Sequence, residues 1–183
     1  MVKTQDEQIL AAAYRCISRD GYANVSMRQI AQEAGVALSQ ISYHFKNKEG
    51  LLLAVITQAA QRYQQMMRET IAGLGTPAEK SEHMIALLKE VLVKDSAVFR
   101  VIYDSAGLAL FSDAFRAKMQ EVFADIRQQI VDEVRHAVED PAETGPISRL
   151  MFSVVLGTAI QYLLEPEDPA ILASLDMFGR FFN

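Results

Sequence analysis

Apolar residues recur along this chain at three- and four-residue intervals, the spacing of one helical face, and nowhere alternate as a half-buried strand would. Ile9, Ala13 and Ile17 form the first stripe, in a helix expected over about 4–20 and ended by Gly21. Ser26 is placed to cap a short helix to 34 with Ile30, Ala31 and Ala34 on one side. Gly35, Val36 and Ala37 break it, and a third helix follows over about 38–45. Its inward pair, Ile41 and Phe45, leaves Ser39, Gln40, Ser42, Tyr43 and His44 to face outward. After Asn47, a candidate cap, a long helix is expected to run to about 71 and stop at Gly73 and Gly75.

Thr76, Pro77 and Glu79 have the form of a capping box, opening a helix to about 94. A short helix over about 97–107 comes next. Ser112 is then placed to cap a helix to about 139, with the stripe Phe115, Met119, Val122, Phe123, Ile126, Ile130 and Val134. Asp140-Pro141 interrupts the pattern, a helix over about 146–164 follows, and Pro166 and Pro169 set off a last one over 169–182. The pattern predicts an all-α protein with no internal repeat and no flexible linker.

Composition narrows this without changing it. A chain of 183 residues, 50% of them hydrophobic, suits one or two compact domains and is too apolar to be disordered. A single cysteine, Cys16, excludes an internal disulfide framework and a cysteine-based zinc cluster, and fits a reducing cytoplasm. Cys16 lies beside the first stripe and reads as a small buried apolar residue. The first ten residues do not form a signal peptide, and the longest weakly polar stretch, 15 residues over 150–164, is short of the roughly 20 that a bilayer requires. A soluble, cytoplasmic protein without a membrane partner is expected.

The net charge of -5 is unevenly spread. Residues 1–48 carry six Lys/Arg against four acids, while 49–183 carry twelve against nineteen. A weakly basic end sits on an acidic body, the footprint to test for nucleic acid.

Residues 26–45 have the layout of a helix-turn-helix, whose second helix is the size a major groove admits. Ala31 is small where two crossing helices need close approach, and Gly35 is free to take a positive φ. The segments from Val25 to Val36 (VSMRQIAQEAGV) and from Ser42 to Leu51 (SYHFKNKEGL), with the Gly21-Tyr22 step before them, resemble the TetR family of bacterial transcriptional repressors. The resemblance covers about the first 50 residues; the remainder is similar in length, helicity and position. It implies an N-terminal three-helix bundle with the helix-turn-helix, a DNA-binding domain over 1–48, and a C-terminal helical ligand-binding and dimerisation domain over 49–183. The helix starting near 47 joins them.

The resemblance assigns Tyr43 and His44 to the DNA backbone and Lys48 to a phosphate, beside a helix N-terminus that favours an anion. Ser26 is expected both to cap and to donate to phosphate, Arg28 to reach base or backbone, and Lys46 to join the basic cluster. Leu38, Ser39 and Gln40 are presented near the N-terminus of the recognition helix. Gln40 is the candidate for direct readout, because an amide can pair with both edge groups of adenine, and Leu38 offers an apolar contact to a thymine methyl. At Ser42 the chain departs from the family, where an aromatic residue often precedes the Tyr-His pair.

Two copies reading a near-palindromic operator in double-stranded DNA are the expected arrangement. The last two helices supply an apolar dimer surface, with Met151, Val155, Thr158, Ala159, Tyr162, Leu175, Phe178, Phe181 and Phe182 as its candidates. Between the two ends, Met66, Met84, Phe99, Tyr103, Phe111, Met119 and Phe123 suit a cavity for a flat or flexible hydrophobic effector, a pocket that the resemblance favours over ordinary core. Arg100, Asp104 and His83 lie on helices that border that region. The pairs Glu79/His83 and Asp132/His136 read as solvated surface rather than metal ligands, because each lacks a third ligand. No nucleophile motif or phosphate loop is present, so no cofactor, no metal and no catalysis are expected.

The reading is a homodimeric, ligand-responsive repressor. Its alternatives are an all-α small-molecule-binding protein or enzyme without DNA binding, and a DNA-binding dimer without effector. The Ser42-Tyr43-His44-Phe45 run and the Lys46/Lys48 pair have no evident role in the first of these.

Overall fold

The computed structural model describes residues 4–134 and 140–179. Among these it contains α1 (Gln5–Asp20), a 3-10 turn (Tyr22–Asn24), α2 (Met27–Ala34), α3 (Leu38–Phe45), α4 (Lys48–Ile71), α5 (Pro77–Asp95), α6 (Ala97–Ala109) and α7 (Asp113–Val134). After a second 3-10 turn (Pro141–Glu143) come α8 (Thr144–Leu164) and α9 (Pro169–Gly179). No strand occurs among the described residues. The all-α expectation holds, and the first four helices begin and end within a residue or so of where punctuation places them.

Local chemistry explains those boundaries. The Thr4 hydroxyl accepts from the Glu7 amide at 3.3 Å while the Glu7 carboxylate accepts from the Thr4 amide at 2.9 Å, a reciprocal cap that satisfies two otherwise orphaned donors. Thr76 and Glu79 repeat the device at α5, with the Glu79 carboxylate also accepting from the Gly75 amide. Those bonds hold the Glu79 carboxyl below its usual range. Ser112 departs from its expected capping role: its hydroxyl turns to the Glu49 carboxylate at 3.4 Å, and α7 begins at Asp113.

The chain divides into two compact units, one formed by Met1–Arg62 with Arg100–Gln120, the other by Tyr63–Phe99 with Glu121–Asn183. The unit holding the helix-turn-helix therefore extends beyond residues 1–48, taking in the first part of α4, most of α6 and the start of α7. Its core is built from Ile9, Ala13, Cys16 and Ile17 of α1, Ile30 and Ala31 of α2, Ile41 of α3, and Leu51, Leu52 and Val55 of α4. Val101, Phe115 and Met119 enter it from the later segment. Small side chains at Ala12, Ala13 and Ala31 let α1 and α2 approach closely. Burial raises the Cys16 thiol above its ordinary range, with Glu33 adding to the effect, so Cys16 is inert core as its position suggests.

The second unit packs α5, α8 and α9 around Leu92, Phe99, Phe152, Ala159, Ile171 and Leu175. The Phe123 and Phe152 rings meet edge-on at 5.0 Å, Lys80 pairs with Glu133 at 2.9 Å, and Lys89 bonds Asp176. A polar pair is set into the same unit, with the Tyr63 hydroxyl donating to Asp95 at 2.5 Å.

Candidate nucleic-acid interface

The first element of the site is the start of α2. The Ser26 hydroxyl accepts from the Gln29 amide at 3.2 Å, and the Gln29 side-chain oxygen accepts from the Ser26 amide at 2.7 Å. The cap expected of Ser26 is present. Its hydroxyl proton, however, is given to the same Gln29 oxygen at 2.8 Å, so Ser26 keeps no free donor for a phosphate. Arg28, one residue into α2, is exposed.

Gly35 then takes the left-handed conformation, φ 67° and ψ 32°. Val36 donates to the Ala31 carbonyl at 3.0 Å and Gly35 to that of Gln32 at 3.2 Å, which closes α2 in a Schellman motif and turns the chain into α3. On α3, Ile41 is fully buried and anchors the helix, whereas Leu38, Ser39, Ser42 and Tyr43 are exposed, Tyr43 by 85%. Gln40 is half-buried, and its side-chain oxygen accepts from the Ala37 amide at 2.9 Å. The residue chosen for two-point base readout thus spends its acceptor on capping its own helix, leaving the amide nitrogen as its free group. The Ser42 hydroxyl bonds back to Leu38 at 3.2 Å.

The turn from α3 to α4 is tighter than the sequence suggests. Asn47 donates to the Phe45 carbonyl at 2.7 Å across Lys46, which sits at φ 63° and ψ -60°. That is a γ-turn of the rare, strained kind, and Lys46 is the non-glycine residue with positive φ among those described. The turn aims the exposed Lys46 side chain outward from the end of α3. Asn47 caps α4 as expected, accepting from the Gly50 amide at 2.8 Å. Glycine is required at 50, since a Cβ there would lie 2.4 Å from the Phe45 carbonyl oxygen.

Lys48 has a different partner from the phosphate expected of it. Its ammonium donates to the Tyr22 carbonyl and stands 4.1 Å over the centre of the Tyr22 ring. Burial lowers its pKa, with Asp104 acting in the opposite sense. The Asp104 carboxylate accepts from the Tyr22 amide at 2.7 Å, and the Tyr22 ring packs edge-on against Phe115 at 6.0 Å. Arg100 lies nearby, 3.5 Å from the Ser18 carbonyl. Lys48 is therefore a strut between α4 and the turn after α1, in a cluster that Asp104 and Phe115 join from later helices. His44, the remaining expected backbone contact, has its Nδ1 at 2.6 Å from the Asp6 carboxylate of α1. Spacing along the chain reveals neither Asp6 nor Tyr22 as a partner, because each acts across more than twenty residues.

An exposed helix face anchored on the buried Ile41 and set off by the Gly35 turn is the geometry of a helix-turn-helix, and the comparisons agree. Residues 9–55 match the family of bacterial regulatory proteins called tetR. The nicotine-responsive transcriptional repressor HdnoR of Paenarthrobacter nicotinovorans is 27% identical over 175 residues, covering 89% of this chain and 86% of that protein. The chain belongs to the TetR family. Among solved structures, the fatty acid degradation regulator FadR of Bacillus halodurans superposes with a TM-score of 0.81 at 18% identity, covering 100% of this chain and 96% of that one. FadR of Bacillus subtilis, in complex with stearoyl-CoA, gives 0.78 at 20% identity, covering 96% of each. This TetR-family protein is a transcriptional regulator with a DNA-binding helix-turn-helix, and not an enzyme.

The other predicted sets fare less uniformly in this TetR-family chain. Met66, Met84, Phe99 and Phe123 belong to the second unit, whereas Tyr103, Phe111 and Met119 belong to the first. Phe111 is 90% exposed on the turn between α6 and α7, beside exposed Leu110, and lines no interior. His83 is exposed, with its Nδ1 at 2.8 Å from the Glu79 carbonyl oxygen. Of the dimer candidates, Thr158, Ala159 and Leu175 are buried within the single chain, where α8 packs on α9, and have no surface to offer a partner. Met151, Val155 and Tyr162 are half-buried. Phe181, Phe182, His136 and the side chain of Phe178 lie outside the described residues. Among the described residues, the large apolar side chains that α8 and α9 expose are Leu150, Ile160, Leu164 and Met177, none of them among the expected dimer residues. With its preceding turn, α8 forms a span, Pro141–Leu164, long and apolar enough by composition to cross a bilayer, beyond the shorter stretch counted from sequence; only 22% of its most apolar window is buried.

Proposed function

We propose that this TetR-family regulator is a cytoplasmic homodimeric repressor that binds a near-palindromic operator in double-stranded DNA and is released by a small hydrophobic effector. The observation that carries the DNA-binding part is α3 itself. Its exposed face offers Ser39, Ser42 and Tyr43, with Leu38 at its start and Lys46 aimed from its end, on a helix anchored by Ile41. In this reading Tyr43, Lys46, His44 and Arg28 meet phosphates, which position the helix without reading sequence. Leu38, Ser39 and the free amide nitrogen of Gln40 meet base edges. Lys48 and Ser26 act one step back, holding the turn and the cap on which those contacts depend.

Dimerisation is assigned to the exposed stripe of α8. Leu150, Ser153, Gly157, Ile160 and Leu164 recur at intervals of three and four and share one face, and Met177 of α9 is exposed as well. Pairing two such faces makes a four-helix interface and removes the leucines from water. The effector site is assigned to the second unit, around Met66, Met84, Phe99 and Phe123; the nicotine response of HdnoR and the stearoyl-CoA bound to a FadR support a largely apolar ligand. Repression ends if the effector prefers a conformation in which the two recognition helices no longer match successive major grooves, since a ligand with equal affinity for both states shifts nothing. Selection of bound sequences from a random duplex pool tests this. Recovery of two inverted half-sites about one helical turn apart supports the reading, and recovery of no sequence with steeply salt-dependent affinity overturns it.

A further inference from the structure

The pair formed by Asp6 and His44 is not explained by folding alone. His44 Nδ1 lies 2.6 Å from an Asp6 oxygen, and no partner stands at Nε2 among the described residues. A carboxylate only accepts hydrogen bonds, so in the neutral ring the one N–H must sit on Nδ1, which leaves Nε2 a bare acceptor. A DNA phosphate oxygen is also only an acceptor, and it is repelled by that nitrogen. The contact forms when the ring gains a second proton and the imidazolium bridges Asp6 through Nδ1 and the phosphate through Nε2.

Resting on the DNA-binding reading above, we propose that Asp6 is a positioning residue for the phosphate contact of His44, and that it makes operator binding take up one proton at each recognition helix. The other charged groups of the surrounding elements are engaged elsewhere or turned outward. On α1, Glu7 accepts from the Thr4 amide; on α2, Glu33 is paired with Arg15 and Arg28 is exposed; on α4, Lys48 is on Tyr22 and Glu49 accepts from Ser112. On α3 itself the Tyr43 ring stands edge-on to His44 at 5.2 Å, and Lys46 follows in the turn. The proton comes from solvent and returns to it when the DNA leaves.

The sign follows from linkage: a complex that holds more protons than its free components weakens as pH rises. Affinity for the duplex that the wild-type protein selects should fall as pH rises, by up to about tenfold per pH unit for each recognition helix. His44→Gln, whose amide donates without titrating, should flatten the dependence. Asp6→Asn should flatten it too and raise affinity at pH 8 above wild type, because an asparagine amide is able to donate to Nδ1 and free the N–H for Nε2. Circular dichroism and thermal melting of each variant report whether it folds. Nitrogen-15 spectra of the full-length protein provide an arm that needs no DNA, with the neutral His44 ring expected to carry its proton on Nδ1. A neutral ring protonated at Nε2, a pH-independent wild type, or a dependence that survives in His44→Gln would each overturn the proposal while leaving DNA binding intact. Failure to select any duplex removes the DNA-binding reading and this inference with it.

Discussion

The protein exposes two helical faces of opposite character. On α3 the exposed side chains include the hydrogen-bonding Ser39, Ser42 and Tyr43 beside Leu38, and the helix is held by a single fully buried residue, Ile41. On α8 the exposed side chains include Leu150, Ile160 and Leu164, the last by 73%, on a helix already seated by Phe152 and Ala159. A face of donors asks for a charged, hydrated partner with acceptors at fixed spacing. A face of leucines asks for another apolar surface, because each such side chain left in water forgoes about 1.5–3 kcal/mol. One molecule therefore presents two incomplete surfaces, and the chemistry of each says what completes it.

The largest effect should come from the anchor of the first face. Ile41→Ala removes a fully buried side chain on which an eight-residue helix depends, and should cost about 2–5 kcal/mol in denaturant unfolding. Duplex binding should be lost along with it. A smaller stability loss with binding intact would show that α2 and the turn hold α3 without its anchor. On the second face, Leu150→Glu combined with Leu164→Glu should give monomers in sedimentation experiments without unfolding the chain, since both residues are exposed. Affinity for a duplex with two half-sites should then drop by roughly a hundredfold or more, as the second contact ceases to be intramolecular. Intact dimers would move the interface elsewhere.

The same comparison shows what was legible in the sequence. The ends of α2 and α3 were readable because their causes are local: Ser26 meets Gln29 three residues on, Gly35 takes the conformation that glycine takes most easily, and Asn47 meets Gly50. The α8 face was not. That helix is apolar around most of its circumference, so periodicity does not separate the side that meets α9 from the side that carries the exposed Leu150, Ile160 and Leu164. Thr158, Ala159 and Leu175 accordingly read as interface from the sequence, whereas the structure buries them within the chain. The contact of Lys48 with Tyr22 is hidden from the sequence for another reason. Its partner Tyr22 is 26 residues away, and Asp104, which holds the Tyr22 amide, is 82 residues from it; no spacing rule reaches across either distance. Phe111 shows the limit from the other side: aromatic character predicts burial, but a position on the turn between α6 and α7 overrides it.

Gln40 sharpens the reading of the first face at a single side chain. Gln40→Ala should lower affinity by about 1–3 kcal/mol at one base position and relax the preference there. Gln40→Glu keeps an acceptor for the Ala37 amide while removing the free amide nitrogen, so it should retain helix stability and lose the same base preference. If only Gln40→Ala changes binding, the residue acts through the cap and not through a base.

The smallest effect is expected at Lys46, where stability and binding pull in opposite directions. The side chain is exposed and basic at the rim of the recognition helix, yet its backbone holds a γ-turn at φ 63° that an L-residue with a Cβ adopts at a cost. Glycine removes that cost, so Lys46→Gly should stabilise the fold by about 1 kcal/mol, read as a higher denaturant midpoint with unchanged slope. The same substitution removes one cation from each recognition helix. Binding should weaken about equally for all duplexes, and the salt dependence should become shallower by roughly one unit of slope per half-site. Lys46→Arg keeps both the strain and the charge and should leave both measurements near wild type. A stabilised Lys46→Gly variant with an unchanged salt slope would mean that the strained turn serves the packing of Gly50 against Phe45 and not the delivery of a charge to DNA.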